Sequence, residues 1–315
     1  MSSRRDKLKI KIKIKIILNS AAKFLLSLII KLLKILPHKL AVKLGGWLGR
    51  LVWLVSWRKV DTCESRCVKA LGVGVTIARK IILKSFINLG MSIAEFVRLE
   101  LIKDNLNNLI EVENLEIVNE ALARGKGVIF MLAHMGNWEL CGEFMTLNGY
   151  KLAAIYKPQN NSLGAEDFIK SQREDAAGLE LIEAHSLNLR EIFKALKANK
   201  MLCVLQDLDA HKRGVDINFM GMPASCYDGI IKIYNKLGSP IIPALCLRDE
   251  KDFTKHKIIF GGIISDEDNF GRDVNASLET CNDIIAGWIR QWPAQWMWNL
   301  DRWESKLRVR KSKQK

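Results

Sequence analysis

Basic and apolar positions follow two successive patterns in the first part of the chain. Lys and apolar residues alternate strictly over residues 7–16, after which the spacing becomes helical. Lys23, Lys31 and Lys34 share one stripe of that helix, and leucines, isoleucines and Phe occupy the remaining face. Pro37 interrupts the run, and a second basic stripe with interleaved tryptophans follows. The pattern predicts two amphipathic helices lying in the plane of a membrane surface.

Two alternatives to an in-plane anchor remain open for this segment. No uncharged apolar stretch approaches the roughly 18 residues typical of a spanning helix. A single span with snorkelling lysines and an ordinary pair of core-packing helices are nevertheless both compatible with the pattern. No small-residue cleavage site follows the apolar run, so we do not expect a removed signal peptide.

Short apolar runs alternate with amphipathic segments from about residue 112 to residue 300. The predicted strands are residues 127–133, 151–156, 201–206, 240–247 and 256–260. The predicted helices lie near residues 137–148, 162–177, 187–199, 227–237 and 273–291. Such alternation favours an α/β fold with a largely parallel central sheet flanked by helices. We expect it to be preceded by the N-terminal amphipathic, membrane-associated helices.

Charge is concentrated at the two ends of the chain. The net charge is +15; residues 1–60 carry +14, residues 301–315 carry +5, and the body between them carries −4. We therefore expect a basic membrane-anchoring segment at 1–60, an α/β domain at 61–303 and a basic tail at 304–315. Long aliphatic faces between the lysines would make no favourable contacts with phosphates or base edges, so we expect no nucleic-acid partner.

The seven cysteines are scattered, without a CxxC pair or a His-rich cluster. This is typical of free thiols in a reducing compartment. Cys63 and Cys67 lie one helical turn apart, which leaves a metal or redox role open in principle. We expect neither a metal nor a cofactor, because no second His follows as in HExxH and no Gly-rich phosphate loop precedes a Lys.

The candidate chemistry lies in the segment GVIFMLAHMGNWELCGEF. An apolar strand leads into His134, a Met-Gly-Asn turn follows, and a helix begins near Asn137, a plausible N-cap. Open α/β sheets place ligands at the carboxyl ends of their strands, where His134 falls. Glu139 lies in the first helical turn, within reach of the imidazole. A histidine oriented by a carboxylate can take a proton from an alcohol, and the Gly136 turn and first-turn amides can hold an oxyanion.

HMGNWE resembles the H-x4-[DE] motif of the lysophospholipid acyltransferase superfamily, and in particular its lipid A late acyltransferase branch. The similarity extends over about residues 25–303. It is carried by RKIILKSFINLGMSIAEFVRL, YKPQNN (156–161), QDLDAHKRGVDINFMGMPAS (206–225) and QWPAQWMWNLDRW (291–303). Several motifs in the same order identify the family more specifically than any one of them.

The resemblance implies specific roles for the matching residues. His134 is implied to be the catalytic base, with Glu139 as its orienting carboxylate. The implied substrate-binding residues, among which Arg173 is expected to bind an acceptor phosphate, are Asn137, Arg173, Asp207, Asp209, Ser225 and Arg302. Four positions depart from the family pattern: Leu208, Met220, Ala294 and Asp301. Leu208 and Asp301 put in doubt which sugar, phosphate or acyl chain is recognised there.

The function implied by this resemblance is fatty acyl transfer to a glycolipid hydroxyl. Acyl-carrier protein is the expected donor, with coenzyme A less favoured, and a lipid A precursor is the expected acceptor. The expected location is the cytosolic face of the inner membrane. Alternatives are acylation of a phosphatidylinositol mannoside or a lysophospholipid, and a catalytically silent membrane-binding protein.

Overall fold

The protein is described by a computed structural model that covers residues 2–156, 165–174, 178–184 and 189–306. The predicted α/β architecture is confirmed, with a seven-stranded, largely parallel sheet flanked by helices. Parts of several predicted features lie outside the described residues: most of YKPQNN, the ends of the helices predicted near 162–177 and 187–199, and the tail from residue 307.

Helices occupy the N-terminal third of the chain. They are α1 (Ser2–Ile35), α2 (His38–Val55), α3 (Trp57–Leu71), α4 (Val75–Val97), α5 (Leu99–Ile102) and α6 (Leu106–Leu109). The first two confirm the predicted helix pair, and Pro37 stands between them as the N-cap of α2. α1 continues through the alternating residues 7–16. The predicted domain boundary at residue 60 falls within α3, and the domain division remains a prediction.

Glycines allow α2 and α4 to pack with their backbones in contact. A side chain at Gly45 would collide with the carbonyl of Gly90, and one at Gly49 with the carbonyl of Phe86. Such close approach lets the two helix backbones share a long contact surface. α2 is thereby fixed to α4, which in turn contacts the turn around Gly136.

The outer face of the first helices remains apolar and exposed. It presents Phe24, Leu25, Leu28, Leu32, Ile35, Leu40, Trp47, Leu51, Leu54, Val55 and Trp57 to solvent. Exposed apolar side chains grouped on these helices form a candidate interaction surface. Within the described part of the chain, no helix combines the length and apolar character needed to cross a bilayer.

The main sheet has the strand order β1-β9-β8-β2-β5-β3-β4. Its strands are β1 (Ile110–Glu113), β2 (Val128–Leu132), β3 (Leu152–Tyr156), β4 (Leu179–Glu183), β5 (Met201–Leu205), β8 (Ile241–Arg248) and β9 (His256–Phe260), and a separate hairpin is formed by β6 (Val215–Phe219) and β7 (Met222–Cys226). All pairs in the main sheet are parallel except β8 with β9.

Helices cover both faces of this sheet. They are α7 (Leu115–Ala123), α8 (Trp138–Leu147), α9 (Ala165–Glu174), α10 (Leu189–Lys197), α11 (Gly229–Leu237) and α12 (Val274–Gln291). Successive residues of β2 enter opposite cores: Ile129 and Met131 pack in one, and Val128 and Phe130 in the other. This explains why β2 reads as a continuous apolar run.

All five predicted strands are confirmed, and each predicted helix is present within the described residues. The sequence patterns did not predict β1, β4 or the hairpin, and they gave no sign that β9 runs antiparallel to β8. β1 and β4 occupy the sheet edges, where acidic residues interrupt the apolar pattern. The antiparallel pair follows from the short connection between β8 and β9, which is too short for a parallel crossover.

Candidate active site

The turn after β2 holds His134 at the carboxyl edge of the sheet. Gly136 has φ +60°, and a side chain there would collide with the carbonyl of Cys246, so this turn requires glycine. Asn137 then caps α8 by accepting a hydrogen bond from the amide of Leu140 at 3.3 Å. The predicted N-cap is confirmed, and the turn presents the imidazole where ligands of open α/β sheets bind.

Asp207 is the carboxylate that contacts His134. Leu132 pairs with Leu205 in the register of β2 and β5, so residues two positions further on meet at the same sheet edge. The imidazole Nδ1 lies 2.7 Å from Oδ1 of Asp207, and the His134 amide donates to Oδ2 at 2.8 Å. Trp296 Nε1 also donates to Oδ2, at 2.9 Å. These contacts fix the position of the carboxylate and the orientation of the ring.

The electrostatics of this pair favour a charged aspartate. Asp207 is fully buried, and burial alone raises the pKa of a carboxyl. The charge of His134 and the hydrogen bonds from His134 and Trp296 outweigh burial and hold the pKa of Asp207 below its ordinary value. With Nδ1 engaged by the carboxylate, Nε2 is the ring nitrogen left to exchange protons with a substrate.

Glu139 does not make the contact expected of it. Its carboxylate accepts from Trp138 Nε1 at 3.0 Å and from Arg173 Nε and Nη2 at 3.2 and 2.5 Å. The prediction that Glu139 orients the imidazole is therefore corrected: Asp207 occupies that position. The physical reason is that α8 directs Glu139 towards α9, whereas parallel pairing of β2 and β5 brings Asp207 to His134.

Trp138 links the imidazole to the ion pair. Its ring meets the His134 ring edge-on, with centroids 5.0 Å apart. The same side chain donates to Glu139, which holds Arg173 in a two-pronged contact. The structure thus brings His134, Asp207, Glu139 and Arg173 together at one edge of the sheet.

Arg302 is enclosed within the fold. Its side chain is 0% exposed, and the guanidinium donates to the carbonyls of Leu208 and Ser225 and to Oδ1 of Asn282. It also stacks over the ring of Phe219. We therefore revise the expected substrate contact of Arg302 to a structural role, in which it holds the end of the chain against the β6–β7 hairpin.

Asp209 and Ser225 hold neighbouring loops. Asp209 accepts from the amide and hydroxyl of Ser305, both at 2.8 Å, and from the amide of His211. Ser225 donates its hydroxyl to the carbonyl of His211 at 2.7 Å. Both residues are buried, and their side-chain contacts are made within the protein. A direct contact of either with substrate stays a prediction.

Further residues that the sequence analysis did not single out hold the catalytic turn. Ser92 donates to the carbonyl of Gly136 at 3.1 Å, and Asn137 Nδ2 donates to Glu95 at 2.8 Å. Glu95 is fully buried and also binds Arg248 at 2.7 and 2.8 Å. His256 and Arg248 together overcome the effect of burial and depress the pKa of Glu95. The sequence signal was that Glu95 is the single acidic residue of α4.

The backbone amides of Gly136 and Asn137 already donate hydrogen bonds within the protein. Gly136 N donates to the carbonyl of Gln295, and Asn137 N to that of Cys246, each at 2.8 Å. The expectation that the Gly136 turn supplies oxyanion donors is therefore corrected for these two amides. They fix the turn against β8 and the short helix Pro293–Gln295 instead.

A cavity that is partly open to solvent lies beside Glu139 and Arg173. It extends from Leu132 and Leu205, where β2 and β5 end, to Leu152 and Leu179, where β3 and β4 begin. Four residues of strand separate these two ends, so the cavity is about 13 Å long in the strand direction. Most of the lining is apolar; the further lining residues are Phe96, Leu99, Trp138, Gly142, Glu143, Ala154, Ile155, Gln172 and Cys203.

Comparison with known proteins gives a family match over nearly the whole chain. The sequence profile of the bacterial lipid A biosynthesis acyltransferases matches residues 9–305. A phosphatidylinositol mannoside acyltransferase of Mycolicibacterium smegmatis is 20% identical over 205 residues, covering 64% of this chain and 65% of that protein. One of Mycobacterium tuberculosis is 22% identical over 199 residues, covering 62% and 60%. The match thus spans less than two thirds of either relative.

Proposed function

Because the chain belongs to the bacterial lipid A biosynthesis acyltransferase family, we propose that it transfers a fatty acyl group to a hydroxyl of a glycolipid. The observation that carries the proposal is the contact between His134 and the buried Asp207 at the carboxyl edge of the sheet. An oriented imidazole with one free nitrogen is the general base that such a reaction requires.

The proposed reaction proceeds by proton transfer through His134 Nε2. As the acceptor hydroxyl attacks the acyl carbonyl, Nε2 takes its proton and a new C–O bond forms. The bond to the donor's thiol then breaks, and the imidazolium returns the proton to the departing sulfur. Asp207 keeps Nδ1 protonated and stabilises the imidazolium, because its own pKa is held low. No metal or cofactor enters any of these steps.

The cavity beside Glu139 is proposed to hold the acyl chain. It is mostly apolar and about as long as four residues of strand, roughly 13 Å. Trp138 lines it and also contacts the His134 ring, so a chain bound there would bring its carbonyl end near the imidazole. Burial of a hydrocarbon chain against these side chains supplies binding energy in proportion to its length.

Arg173 is proposed to bind a phosphate of the acceptor. A guanidinium offers a fork of donors that matches phosphate geometry better than an ammonium does. Glu139 orients that fork through its two-pronged contact, and both side chains lie at the cavity. The expected role of Glu139 thus changes from orienting the base to orienting the phosphate ligand.

The first helices are proposed to attach the protein to the cytosolic face of the inner membrane. Their exposed apolar side chains lie on helices with many lysines and a single acid, which suits an anionic lipid surface. The glycine contact between α2 and α4 would hold the catalytic edge at a fixed distance from that surface. Acyl-carrier protein is the proposed donor, and nucleic acid is not a proposed partner.

Two acceptors are supported to different degrees. The family description favours a lipid A precursor, whereas the relatives named above carry the name of phosphatidylinositol mannoside acyltransferases. Lipid mass spectrometry of cells with and without the protein separates these acceptors. A lipid A that loses one acyl chain supports the first, and an under-acylated phosphatidylinositol mannoside supports the second. Unchanged acylation of every glycolipid would contradict both.

A further inference from the structure

Two polar side chains interrupt the otherwise apolar inner wall of the cavity. Glu143 lies one helical turn beyond Glu139 on α8, and Gln172 precedes Arg173 on α9. Both line the cavity, and their exposures are only 9% and 7%. Neither residue belongs to the His134–Asp207 pair or to the Glu139–Arg173 ion pair described above.

These two side chains lack partners among the described residues. Oε1 of Gln172 is buried without a hydrogen bond. The Glu143 carboxyl makes no ion pair or hydrogen bond with any residue that the structure describes. Burial raises the pKa of Glu143 and outweighs the opposing charge of Lys103. A saturated hydrocarbon chain in the cavity would leave both polar groups unsatisfied, which is costly in a low-dielectric site.

We propose that Glu143 and Gln172 form a polar subsite that binds a hydroxyl group on the acyl chain of the donor. This inference rests on the proposed function, because it takes the cavity as the acyl site. A hydroxyl both donates and accepts, so it can satisfy an amide oxygen and a carboxyl together. An anionic group would not suit the same place, since it would lie beside the Glu143 carboxyl and the Gln172 amide oxygen, neither of which has an ion-pair partner among the described residues.

The subsite also locates the hydroxyl along the chain. Four residues of α-helix separate Glu143 from Glu139, a rise of about 6 Å. Because the carbonyl end of the bound chain lies near the imidazole and not at Glu139, the hydroxyl lies several carbons from the carbonyl, part of the way along the chain. A site built to hydrogen-bond a hydroxyl discriminates strongly against the analogue that lacks it.

The test compares acyl-carrier-protein donors of equal chain length that are unsubstituted or carry a single hydroxyl, whose position is moved in steps along the chain. With the full-length wild-type protein we expect kcat/KM for one hydroxylated donor to exceed that for the unsubstituted donor at least tenfold. Glu143→Leu and Gln172→Leu should each reduce this ratio severalfold, chiefly by raising kcat/KM for the unsubstituted donor. Glu143→Gln retains a polar group and should keep most of the preference, and Glu116→Leu, at an exposed position of α7, should leave it unchanged.

Two outcomes would overturn the subsite. The first is equal use of the unsubstituted donor and every hydroxylated donor by the wild-type protein, a comparison that needs no variant and does not depend on variant folding. The second is a hydroxyl preference that persists in both leucine variants. Failure of every donor with every glycolipid acceptor is a different result, because it would contradict the proposed acyl transfer itself.

Discussion

The carboxylate of Asp207 holds His134 by two contacts, 2.7 Å from the ring Nδ1 and 2.8 Å from the backbone amide, although 73 positions separate the two residues. The contact to the amide fixes where the carboxylate lies, and the contact to the ring fixes the imidazole tautomer. Trp296 reinforces the arrangement from the end of the chain. The catalytic geometry is thus assembled from β2, β5 and the C-terminal segment together.

Acid should weaken the fold through two buried carboxyls. The pKa values of Asp207 and Glu95 are both depressed in the folded protein. Such groups contribute stability that is complete above their unfolded pKa values, about 4, and is lost as pH falls towards the folded values. We expect the urea concentration at the midpoint of unfolding to be constant near neutral pH and to decrease once the pH is lowered past about 4. A midpoint that rises on acidification would contradict the charged state of both groups.

Removing the charge of Glu95 should destabilise the protein and disturb the catalytic turn. Glu95→Gln leaves Arg248 as a buried cation without its counterion, which costs about 3–5 kcal/mol in unfolding free energy. The difference from wild type should shrink at acid pH, where Glu95 becomes protonated. Urea unfolding at several pH values measures this, with exposed Glu116→Gln as the control. Equal stability of Glu95→Gln and wild type at neutral pH would refute the assignment.

The contact between Glu139 and Arg173 should appear as energetic coupling in substrate binding. We expect Arg173→Ala and Glu139→Ala each to raise the acceptor KM more than they lower kcat, because neither side chain touches the imidazole nitrogens. In the double variant, the rise in acceptor KM, expressed as a free energy, should be smaller than the sum of the rises in the two single variants. The difference, which is the coupling energy, should be at least about 0.5 kcal/mol. Additive effects on acceptor KM would show that the two residues act independently.

Filling the cavity should shorten the preferred acyl chain. Gly142 lines it, and a Cβ added there meets no atom within 4 Å, so a larger side chain can project into free space. We expect Gly142→Leu to lower kcat/KM for the longest donors about tenfold or more while sparing short ones, since each excluded CH₂ forfeits about 0.8 kcal/mol. Gly287→Leu, on exposed helix surface, is the matched control. An unchanged chain-length profile would place the acyl chain elsewhere.

The exposed apolar face should carry membrane attachment. Trp47 and Leu54 are 66% and 59% exposed on α2, so replacing both by Glu should leave the core intact. We expect the double variant to lose most of its sedimentation with vesicles containing anionic lipid. Leu189→Glu introduces the same charge on α10, at a residue that is 56% exposed, and should still sediment. Full retention of the α2 variant on vesicles would assign attachment to another surface.

The sequence predicted those parts of the site that depend on neighbouring residues. The strand before His134, the turn and the Asn137 cap all follow from local propensity, and all are confirmed. Asp207 was singled out only as a binding residue, because its contact with His134 depends on which strand lies beside β2. Periodicity does not reveal strand order, so Glu139, the nearest acid in sequence, received the orienting role.

The burial of charged side chains could not be predicted from the sequence either. Arg302 was expected to contact substrate because it lies in the terminal aromatic motif, yet the fold encloses it among carbonyl groups. Glu95 and Arg248 lie 153 positions apart, and neither has a local signal for pairing. The contact between Glu95 and Arg248 forms only when α4 packs against the turn after β2 and against β8.

Steady-state transfer by Asp207→Asn and Glu139→Gln, compared side by side with purified donor and acceptor, tests the central assignment most directly. Asparagine keeps the shape of Asp207 but removes the charge that stabilises the imidazolium. We expect kcat to fall at least about a hundredfold in Asp207→Asn, as in His134→Ala, with no further loss when the two are combined. Glu139→Gln should retain most of its kcat and show its defect in acceptor KM. Near-normal kcat in Asp207→Asn, with the hundredfold loss in Glu139→Gln instead, would contradict the account.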